Sequence, residues 1–450
     1  MKTLLERAKG SALDIITNSN DPVDALTLLP PYTRQIRYLN FGHNYWSEVR
    51  RFSEVHSGPL PLLRALRINA IEEFHVVEPP LNVIIPPSFP LFRGAVNLKR
   101  FVLHSERFPP LGHFVFPNLT TFELSTMREE FLASELLDFL EALPTLRKVD
   151  ITIFAYIVLG EIPQERVVVL PNAETFFLVV SDGGPGYEIA AHILCPSARL
   201  TSLVHEQEPD NVIPGDIFPT SDLWNAIVRQ YTRSPVEEVT LEIKTTPDST
   251  VTCSLTFQSL DTTILRLGFE FSASDDVEDE YESEMLIEDV GYEVFYQASR
   301  AIQDHPLLPN VKRLHIKYRN IVSRSNLMIC MANEIGGLFK SVGPLDELTI
   351  HSCDPRSYLP LLPDFTEFYD MEQLVVFPPV KEFTITHPPR SYDGARSITT
   401  IVGLAKSQHA LGVPFERVTV CAEKLPAGMV EMLRPWVGAA DCYEKRYTYE

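Results

Sequence analysis

A short hydrophobic pattern recurs along almost the whole chain. In its clearest copy, PNVKRLHI at Pro309–Ile316, Val311 is followed by Leu314 and then by Ile316. Residues two apart in an extended backbone point to the same face, so Leu314 and Ile316 would share one face and the residues between them would take the other. The same spacing recurs at Ile36/Leu39/Phe41, Leu63/Leu66/Ile68, Leu98/Phe101/Leu103, Leu119/Phe122/Leu124, Leu146/Val149/Ile151, Ala173/Phe176/Leu178, Val236/Val239/Leu241, Leu345/Leu348/Ile350, Val380/Phe383/Ile385 and Phe415/Val418/Val420.

The copies are regularly spaced, and proline often precedes them. Their middle residues lie 27 positions apart from Phe122 to Phe176, and 34 or 35 positions apart from Leu314 to Val418. A proline-led triplet at near-fixed spacing indicates an internal repeat. Because each repeat packs mainly on its neighbours, such an array can extend over 450 residues without adding separate domains.

Amphipathic helices are predicted between the strands. Residues 133–143 carry leucines at helical spacing after Ser134, a residue suited to the N-cap, and 221–231, 326–340 and 397–410 show similar patterns. Strand, turn, helix and return is the plan of a leucine-rich repeat. The predicted fold class is therefore α/β, a leucine-rich-repeat-like solenoid with a curved parallel sheet on the concave side and helices and loops on the convex side.

The predicted organisation has three parts. Residues 1–31 would form an N-terminal cap with a short helix and a strand at 11–17. Residues 32–428 would form the solenoid, in which Asn44 occupies the position where a leucine-rich repeat places a turn asparagine. Residues 429–450 would form a C-terminal cap helix and a frayed tail.

Two stretches depart from the repeat. The glycine cluster at Ser181–Gly186 lacks the order of a phosphate-binding loop, which favours a solvent-exposed loop, and His205 stands where an apolar residue is expected. Residues 272–293 contain ten acids and no base, which predicts an acidic surface loop, with a metal site or docking tail as the alternative. A degenerate copy at Leu265/Leu267 would fill the long step between Val239 and Leu314.

Composition excludes several classes of function. A net charge of −21 argues against nucleic acid as a main partner, because phosphate binding needs clustered Lys and Arg. Six scattered cysteines without a C-x-x-C pair are typical of free thiols, and neither a signal peptide nor a membrane span is visible, so the chain is expected to be intracellular and monomeric.

No catalytic, cofactor or metal motif is recognisable. His351 and Cys353 resemble two metal ligands, but Cys353 falls at the turn position of its repeat, which explains it structurally. Histidines 104, 315 and 351 lie beside core positions of predicted strands and are expected to be exposed on the sheet face. The sequence leaves open a pair of distant carboxylates, but it predicts a protein that is not an enzyme and has no cofactor.

The run of LPNVKRLHI-type copies with long, irregular spacers resembles the leucine-rich half of fungal, mushroom-type F-box proteins. The opening, LLERAKGSALDI leading to LLPPYTRQIRYLNF, is similar to the segment that follows the F-box in that family. The resemblance covers most of the chain and implies the substrate-recognition half of an F-box subunit of a cullin-type ubiquitin ligase. The F-box itself, which opens with Leu-Pro-x-Glu, is not visible, so docking to a ligase adaptor would need an F-box upstream. A leucine-rich-repeat scaffold or receptor fragment unrelated to ubiquitination is the alternative.

A partner would meet the residues that alternate with the buried positions. About a dozen strands at roughly 4.8 Å spacing make a face of about 50–60 Å, which suits a protein ligand better than a small molecule. The set on one predicted strand, Arg313, His315 and Lys317, is basic, so an acidic or phosphorylated ligand segment is one hypothesis, and a merely solvated sheet face is the other. The candidates are Arg313, His315, Lys317, Glu347, Thr349, His351, Glu382, Thr384 and Thr386, with Lys148, Asp150 and Thr152 at the corresponding positions of an earlier repeat.

Overall fold

The computed structural model describes the strands, most of the turns that precede them and several helices. The described residues are 7, 10–18, 28–45, 49, 52, 59–71, 92, 94–105, 111–127, 130–154, 156–160, 162–163, 165–181, 183–207, 223, 226–227, 230–231, 235–245, 250–260, 263–272, 295–300, 302–303, 308–319, 335–351, 377–386, 394–422, 425 and 427–444. The acidic stretch at 272–293, apart from its first residue, lies outside this set, as do Cys330 and Cys353 and most of 1–9.

The chain divides into two compact units, Met1–Leu203 and Val204–Glu450. The first unit is α/β. Its elements are β1 (Leu13–Asn18), η1 (Pro30–Gln35), β2 (Ile36–Tyr45), β3 (Ala65–Ile71), β4 (Arg100–Ser105), η2 (Leu111–His113), β5 (Thr121–Thr126), β6 (Glu130–Leu132), α1 (Ala133–Glu141), β7 (Lys148–Ile153), β8 (Tyr156–Val158), β9 (Val168–Val169), β10 (Thr175–Val180), α2 (Gly183–Ala191), β11 (Ile193–Leu194) and β12 (Leu200–Gln207), whose last residues belong to the second unit.

The main sheet of the first unit is parallel. Its strands follow the order β1-β2-β3-β4-β5-β7-β10-β12, and each neighbouring pair from β1 to β10 runs in parallel. Two small parallel pairs, β6 with β8 and β9 with β11, stand apart from it. The strand predicted at 11–17 is thus the first member of the sheet, and Asn44 lies inside β2 rather than in a turn after it.

The second unit continues with the elements β13 (Val236–Thr245), β14 (Thr250–Ser259), β15 (Ile264–Ser272), η3 (Leu308–Asn310), β16 (Arg313–Arg319), β17 (Leu345–His351), β18 (Val380–Thr386), α3 (Gly394–Ala410), β19 (Arg417–Ala422), α4 (Met429–Leu433) and β20 (Ala439–Glu444). The strand order is β15-β14-β13-β16-β17-β18-β19-β20. From β13 through β16 to β20 the neighbours are parallel, so the unit is α/β with a mostly parallel sheet.

One part of the second sheet departs from the predicted repeat. Strands β13, β14 and β15 form an antiparallel meander, in which Leu241 faces Leu255 and Leu255 faces Leu267. The Leu265/Leu267 copy is therefore reached through two antiparallel pairings and is not a parallel repeat.

The repeat triplets form the buried side of both sheets. Every triplet residue is 4% exposed or less. In the first unit, Phe139 of α1 packs on Phe122 of β5 with ring centroids 4.8 Å apart. In the second, Phe377 contacts both Phe339, from a described helical turn, and Phe383 of β18. Burying each such ring contributes about 1.5–3 kcal/mol, so these layers supply much of the driving force for folding.

A hydrogen-bonded rung joins successive turns of the first unit. The polar residue just before the first hydrophobic of a repeat donates to a carbonyl at the matching turn of the preceding repeat. The pairs are Asn97 to Pro61 (2.8 Å), Asn118 to Val96 (2.8 Å), Thr145 to Pro117 (3.3 Å), Asn172 to Pro144 (2.9 Å) and Ser197 to Pro171 (2.6 Å).

The glycine cluster is helical, contrary to the loop expected from its sequence. Residues Gly183–Ala191 form α2, and Gly186 lies so close to the Val180 side chain that a Cβ there would collide with it. The absence of a side chain lets the helix pack directly on the end of β10, and this contact outweighs the poor intrinsic helix propensity of glycine.

The remaining helix predictions are partly met. Helix α1 begins at Ala133 after Leu132, so the predicted N-cap at Ser134 is wrong. Helix α3 covers the helix predicted at 397–410. The described residues of 221–231 and the last part of 326–340 are helical as well. At the carboxyl end Tyr443 and Glu444 belong to β20 and are not frayed.

The cysteines are described at four positions. Cys195, Cys253, Cys421 and Cys442 form no disulfide among the described residues, as predicted, and the first two are buried. Burial raises the pKa of the Cys195 thiol to about 12. A protonated thiol is a poor nucleophile, so Cys195 serves as a small apolar core residue.

Candidate protein-binding face

The nine candidate residues come together on one surface of the second unit. They alternate with the buried residues of β16, β17 and β18, and the strand register aligns them in three rows. Strands β13 and β19 extend each row. We call this surface the polar face. Its first row is Glu238, Arg313, Glu347, Glu382 and Arg417, its second Thr240, His315, Thr349, Thr384 and Thr419, and its third Glu242, Lys317, His351, Thr386 and Cys421.

Most of the first row is engaged in ion pairs along the sheet. Arg313 Nε lies 3.2 Å from Glu238 Oε2. Arg417 lies 3.6 Å from Glu382 and 3.5 Å from Asp441 of β20. These side chains are about half exposed apart from Glu238, so each pair contributes at most about 1 kcal/mol. The arginines are therefore already matched by carboxylates of the same sheet.

His315 lies in the middle of the polar face and is half-buried rather than exposed. Its side chain is 16% exposed, and its Nε2 lies 3.5 Å from Glu238 Oε1. Burial lowers the pKa of His315 below its ordinary value of 6.5, and Arg313 and Lys317 act in the same direction. Glu238 and Glu347 oppose this shift. The imidazole is consequently neutral at pH 7.

The other predicted residues supply hydroxyl groups and one further cation. Thr349 donates from Oγ1 to Glu347 Oε1 at 3.1 Å. Thr384, Thr386 and His351 are partly exposed on the neighbouring strands. Lys317 is also partly exposed. Neighbouring strands thus present alternating acids, bases and hydroxyls, which can form hydrogen bonds with an extended polypeptide.

A second charged line runs one residue before the first row. Lys312 Nζ lies 3.2 Å from Glu237, and Lys381 Nζ lies 2.6 Å from Asp346. Hydrogen bonding to Lys381 holds the pKa of Asp346 below its ordinary 3.8, and Lys312 acts in the same direction. Acids and bases alternate between neighbouring strands along this line. Opposite charges across a strand pair are stabilising, so the line favours the observed pairing of neighbouring strands.

The equivalent face of the first unit is less uniform. Lys148, Asp150 and Thr152, all on β7, lie on this face, and Lys148 Nζ is 3.5 Å from Asp150. The apolar Val102 and Phe177 stand in the same row as Asp150. A mixed polar and apolar surface of this kind is a weaker candidate for polar recognition.

On this first face, as in the second unit, a glutamate lies close to an arginine and a histidine of the neighbouring strand. Glu123 lies 3.1 Å from His104 Nε2 and 3.3 Å from Arg100. Although burial raises it, the hydrogen bonds from His104 and Arg100 hold the pKa of Glu123 below its ordinary 4.5. His104 is therefore half-buried and paired, not exposed.

Sequence reasoning missed the acids that hold the basic residues. Glu238 follows Val236 by two positions, as Arg313 follows Val311, so aligning the two repeats would have placed Glu238 beside Arg313. The same alignment places Arg417 beside Glu382. The signal was present in the repeats, but it required knowing which repeats are neighbours.

The described residues contain no cluster of three or more His, Cys, Asp or Glu side chains that could hold a metal ion. Within the same described set, no helix is both long and apolar enough to cross a membrane. Comparison with known proteins adds no family assignment. No protein-family model matches the sequence, and no curated protein matches it either.

Proposed function

We propose that the chain is a non-catalytic recognition module that binds a protein segment on the polar face. The observation that carries this proposal is the alignment of three polar rows across β13 and β16–β19, directly opposite a continuous buried layer. The side chains on one side of each strand form the core. The side chains on the other side can therefore change without loss of the core.

The dimensions support a polypeptide ligand. Five strands at about 4.8 Å spacing span about 20 Å across the rows, and the three rows add roughly 13 Å along the strands. This area suits an extended or helical segment of a partner. The partly exposed threonines and charges provide directional contacts, and these favour specificity over tight apolar binding.

The resemblance to the leucine-rich half of F-box proteins suggests which kind of recognition module the chain would be. We infer a leucine-rich-repeat-like solenoid that recognises substrates for a cullin-type ubiquitin ligase. The repeat triplets and the mostly parallel sheets support this inference, since substrate receptors of that kind use a repetitive sheet as the binding surface.

A photo-crosslinking experiment tests the proposal. A benzophenone amino acid at Thr384 should capture a specific protein when the chain is expressed in cells, whereas the same group at Ala410, an exposed helix residue off the polar face, should not. The captured protein is then purified, and its Kd is measured against wild type, Thr384→Arg and the matched control Ala410→Arg.

Thr384→Arg should weaken binding at least tenfold, while Ala410→Arg should leave the Kd unchanged. Equal capture at both positions, or equal affinity of both variants, would show that the polar face is not the binding surface. Ubiquitination of the captured protein in a reconstituted cullin ligase then tests the link to degradation.

A further inference from the structure

The carboxylate of Glu238 lies beside the basic residues of β16 on the polar face. Its two oxygens are shared between two side chains of β16, with Oε2 3.2 Å from Arg313 Nε and Oε1 3.5 Å from His315 Nε2. Glu238 is 23% exposed and sits on the neighbouring strand β13, directly across from Arg313. An arginine beside a carboxylate is an arrangement by which proteins also bind acidic ligands.

Lys317 continues this basic line without an ion pair of its own in the described part of the chain. Arg313, His315 and Lys317 alternate along β16 with Leu314 and Ile316, so successive basic groups are about 6.6–6.8 Å apart. This is also the spacing of alternate side chains in an extended peptide. An acidic residue at every second position of such a peptide would therefore meet all three.

The same constellation occurs within the first unit. There the carboxylate of Glu123, on β5, lies 3.3 Å from the Arg100 guanidinium and 3.1 Å from His104 Nε2, both on β4. In each unit a single glutamate on the neighbouring strand therefore holds an arginine and a histidine of one strand.

We propose that Glu238 is an intramolecular stand-in for an acidic side chain of the partner. The polar face then takes an extended acidic segment, whose carboxylates exchange with Glu238 at Arg313 and His315 and add a contact at Lys317. This inference rests on the proposed function, and it names the chemistry of the partner.

The exchange explains how a face with paired charges can still discriminate between ligands. Replacing one carboxylate by another keeps the ion pair at Arg313 and the contact with the neutral His315 ring, so those contacts give selectivity rather than net affinity. Net affinity comes from Lys317 and from backbone and hydroxyl contacts. Glu238 consequently excludes neutral and basic segments, because they have no carboxylate that could replace it at Arg313.

Fluorescence anisotropy with a fluorescein-labelled octaglutamate peptide at low ionic strength tests the proposal. Glu238→Gln should tighten binding of the probe by fivefold or more, because Arg313 then loses its nearer carboxylate and keeps the more distant Glu237 at 4.0 Å. The matched control, Asp346→Asn, removes one paired carboxylate from the line just before the polar face and should change the Kd by less than twofold. Equal tightening in both variants would mean that only net charge matters, and the proposal would fail.

Two further variants keep the test decisive if Glu238→Gln does not fold. With Glu238 intact, Lys317→Gln should weaken probe binding at least threefold, whereas Lys406→Gln, at an exposed position of helix α3, should not. Unchanged binding in Lys317→Gln overturns the inference, and so does tighter binding of single-stranded DNA than of the peptide.

The failure of this inference is distinguishable from failure of the proposed function. If crosslinking at Thr384 still captures a partner and Thr384→Arg still weakens it, a negative probe result rejects only the acidic chemistry.

Discussion

Asn172 donates its side-chain N–H to the carbonyl oxygen of Pro144, one repeat earlier, at 2.9 Å. Asn118 makes the matching contact with Val96 at 2.8 Å. The residue between the proline and the first buried hydrophobic of a repeat therefore ties its turn to the preceding turn. Since buried or turn carbonyls need donors, this contact explains why a short polar residue follows proline in the motif.

Asn172→Ala should destabilise the protein modestly. The variant loses one partly exposed hydrogen bond, so the free energy of unfolding should fall by about 0.5–1.5 kcal/mol in urea denaturation. Asn172→Ser is the conservative control, because Ser197 makes the same kind of bond to Pro171 at 2.6 Å. If the alanine and serine variants at position 172 were equally stable, the hydrogen bond to Pro144 would contribute nothing to stability.

Gly343 should tolerate no side chain, although its backbone is not in the left-handed region. A Cβ there would lie 2.7 Å from the carbonyl oxygen of Pro309, a backbone atom held in the neighbouring turn. Gly343→Ala should lower the free energy of unfolding by about 1–3 kcal/mol, the typical cost of overpacking. Thermal unfolding measures the change.

Gly112 provides the matched control for this prediction. An added Cβ at Gly112 meets nothing within 4 Å. Gly112→Ala should therefore be neutral or raise stability by about 0.4–1 kcal/mol through the unfolded state. Similar losses in both variants would contradict the contact as the cause.

The hydrophobic triplets predicted the buried layer well, because alternation is a local property of a strand. Leu314 and Ile316 are both fully buried, as their spacing required. Alternation does not report the direction of a neighbouring strand, however. Val251, Cys253 and Leu255 alternate just as parallel repeats do, and yet they belong to an antiparallel meander.

Contacts that depend on distant neighbours could not be predicted from local pattern. Glu237 is 75 residues from its partner Lys312, and its neighbour Glu238 meets Arg313 in the same strand pair. Helix α2 is a second example, because its close packing on the Val180 side chain explains why glycine stands at position 186 of a helix. Tertiary packing there outweighs intrinsic propensity.

Asp346 should make stability depend on pH in the acidic range. The hydrogen bond to Lys381 lowers the pKa of Asp346 in the folded state, so its stabilising contribution is complete above the ordinary pKa of 3.8. That contribution is lost as the pH falls through the lowered value. Asp346→Asn should therefore lower the Tm slightly at neutral pH, and the difference in Tm from wild type should shrink as the pH falls below 3.8.

Salt gives an independent check on the same ion pair. Both side chains are about half exposed, so high salt should screen the interaction and reduce the difference in Tm between wild type and Asp346→Asn. A difference that persisted in high salt and at low pH would assign the effect to packing.

His315 should destabilise the fold when it becomes protonated. Its pKa is lowered in the folded state because the ring is half-buried, between Glu238 and Glu347 on the neighbouring strands and Arg313 and Lys317 on its own. The neutral form is thus favoured by folding. The associated stability is complete above the unfolded pKa near 6.5 and is lost as the pH falls through the folded value.

His315→Gln should remove this dependence. Between pH 7.5 and pH 5 the free energy of unfolding of wild type should fall further than that of the variant, since glutamine does not titrate. The matched control is His409→Gln, at an exposed position of helix α3, which leaves His315 in place and should keep the fall that His315 causes. NMR titration of the His315 ring gives the direct measurement. A midpoint at or above 6.5 would mean that the carboxylates of Glu238 and Glu347 outweigh burial, and the stabilising state would then be the charged one.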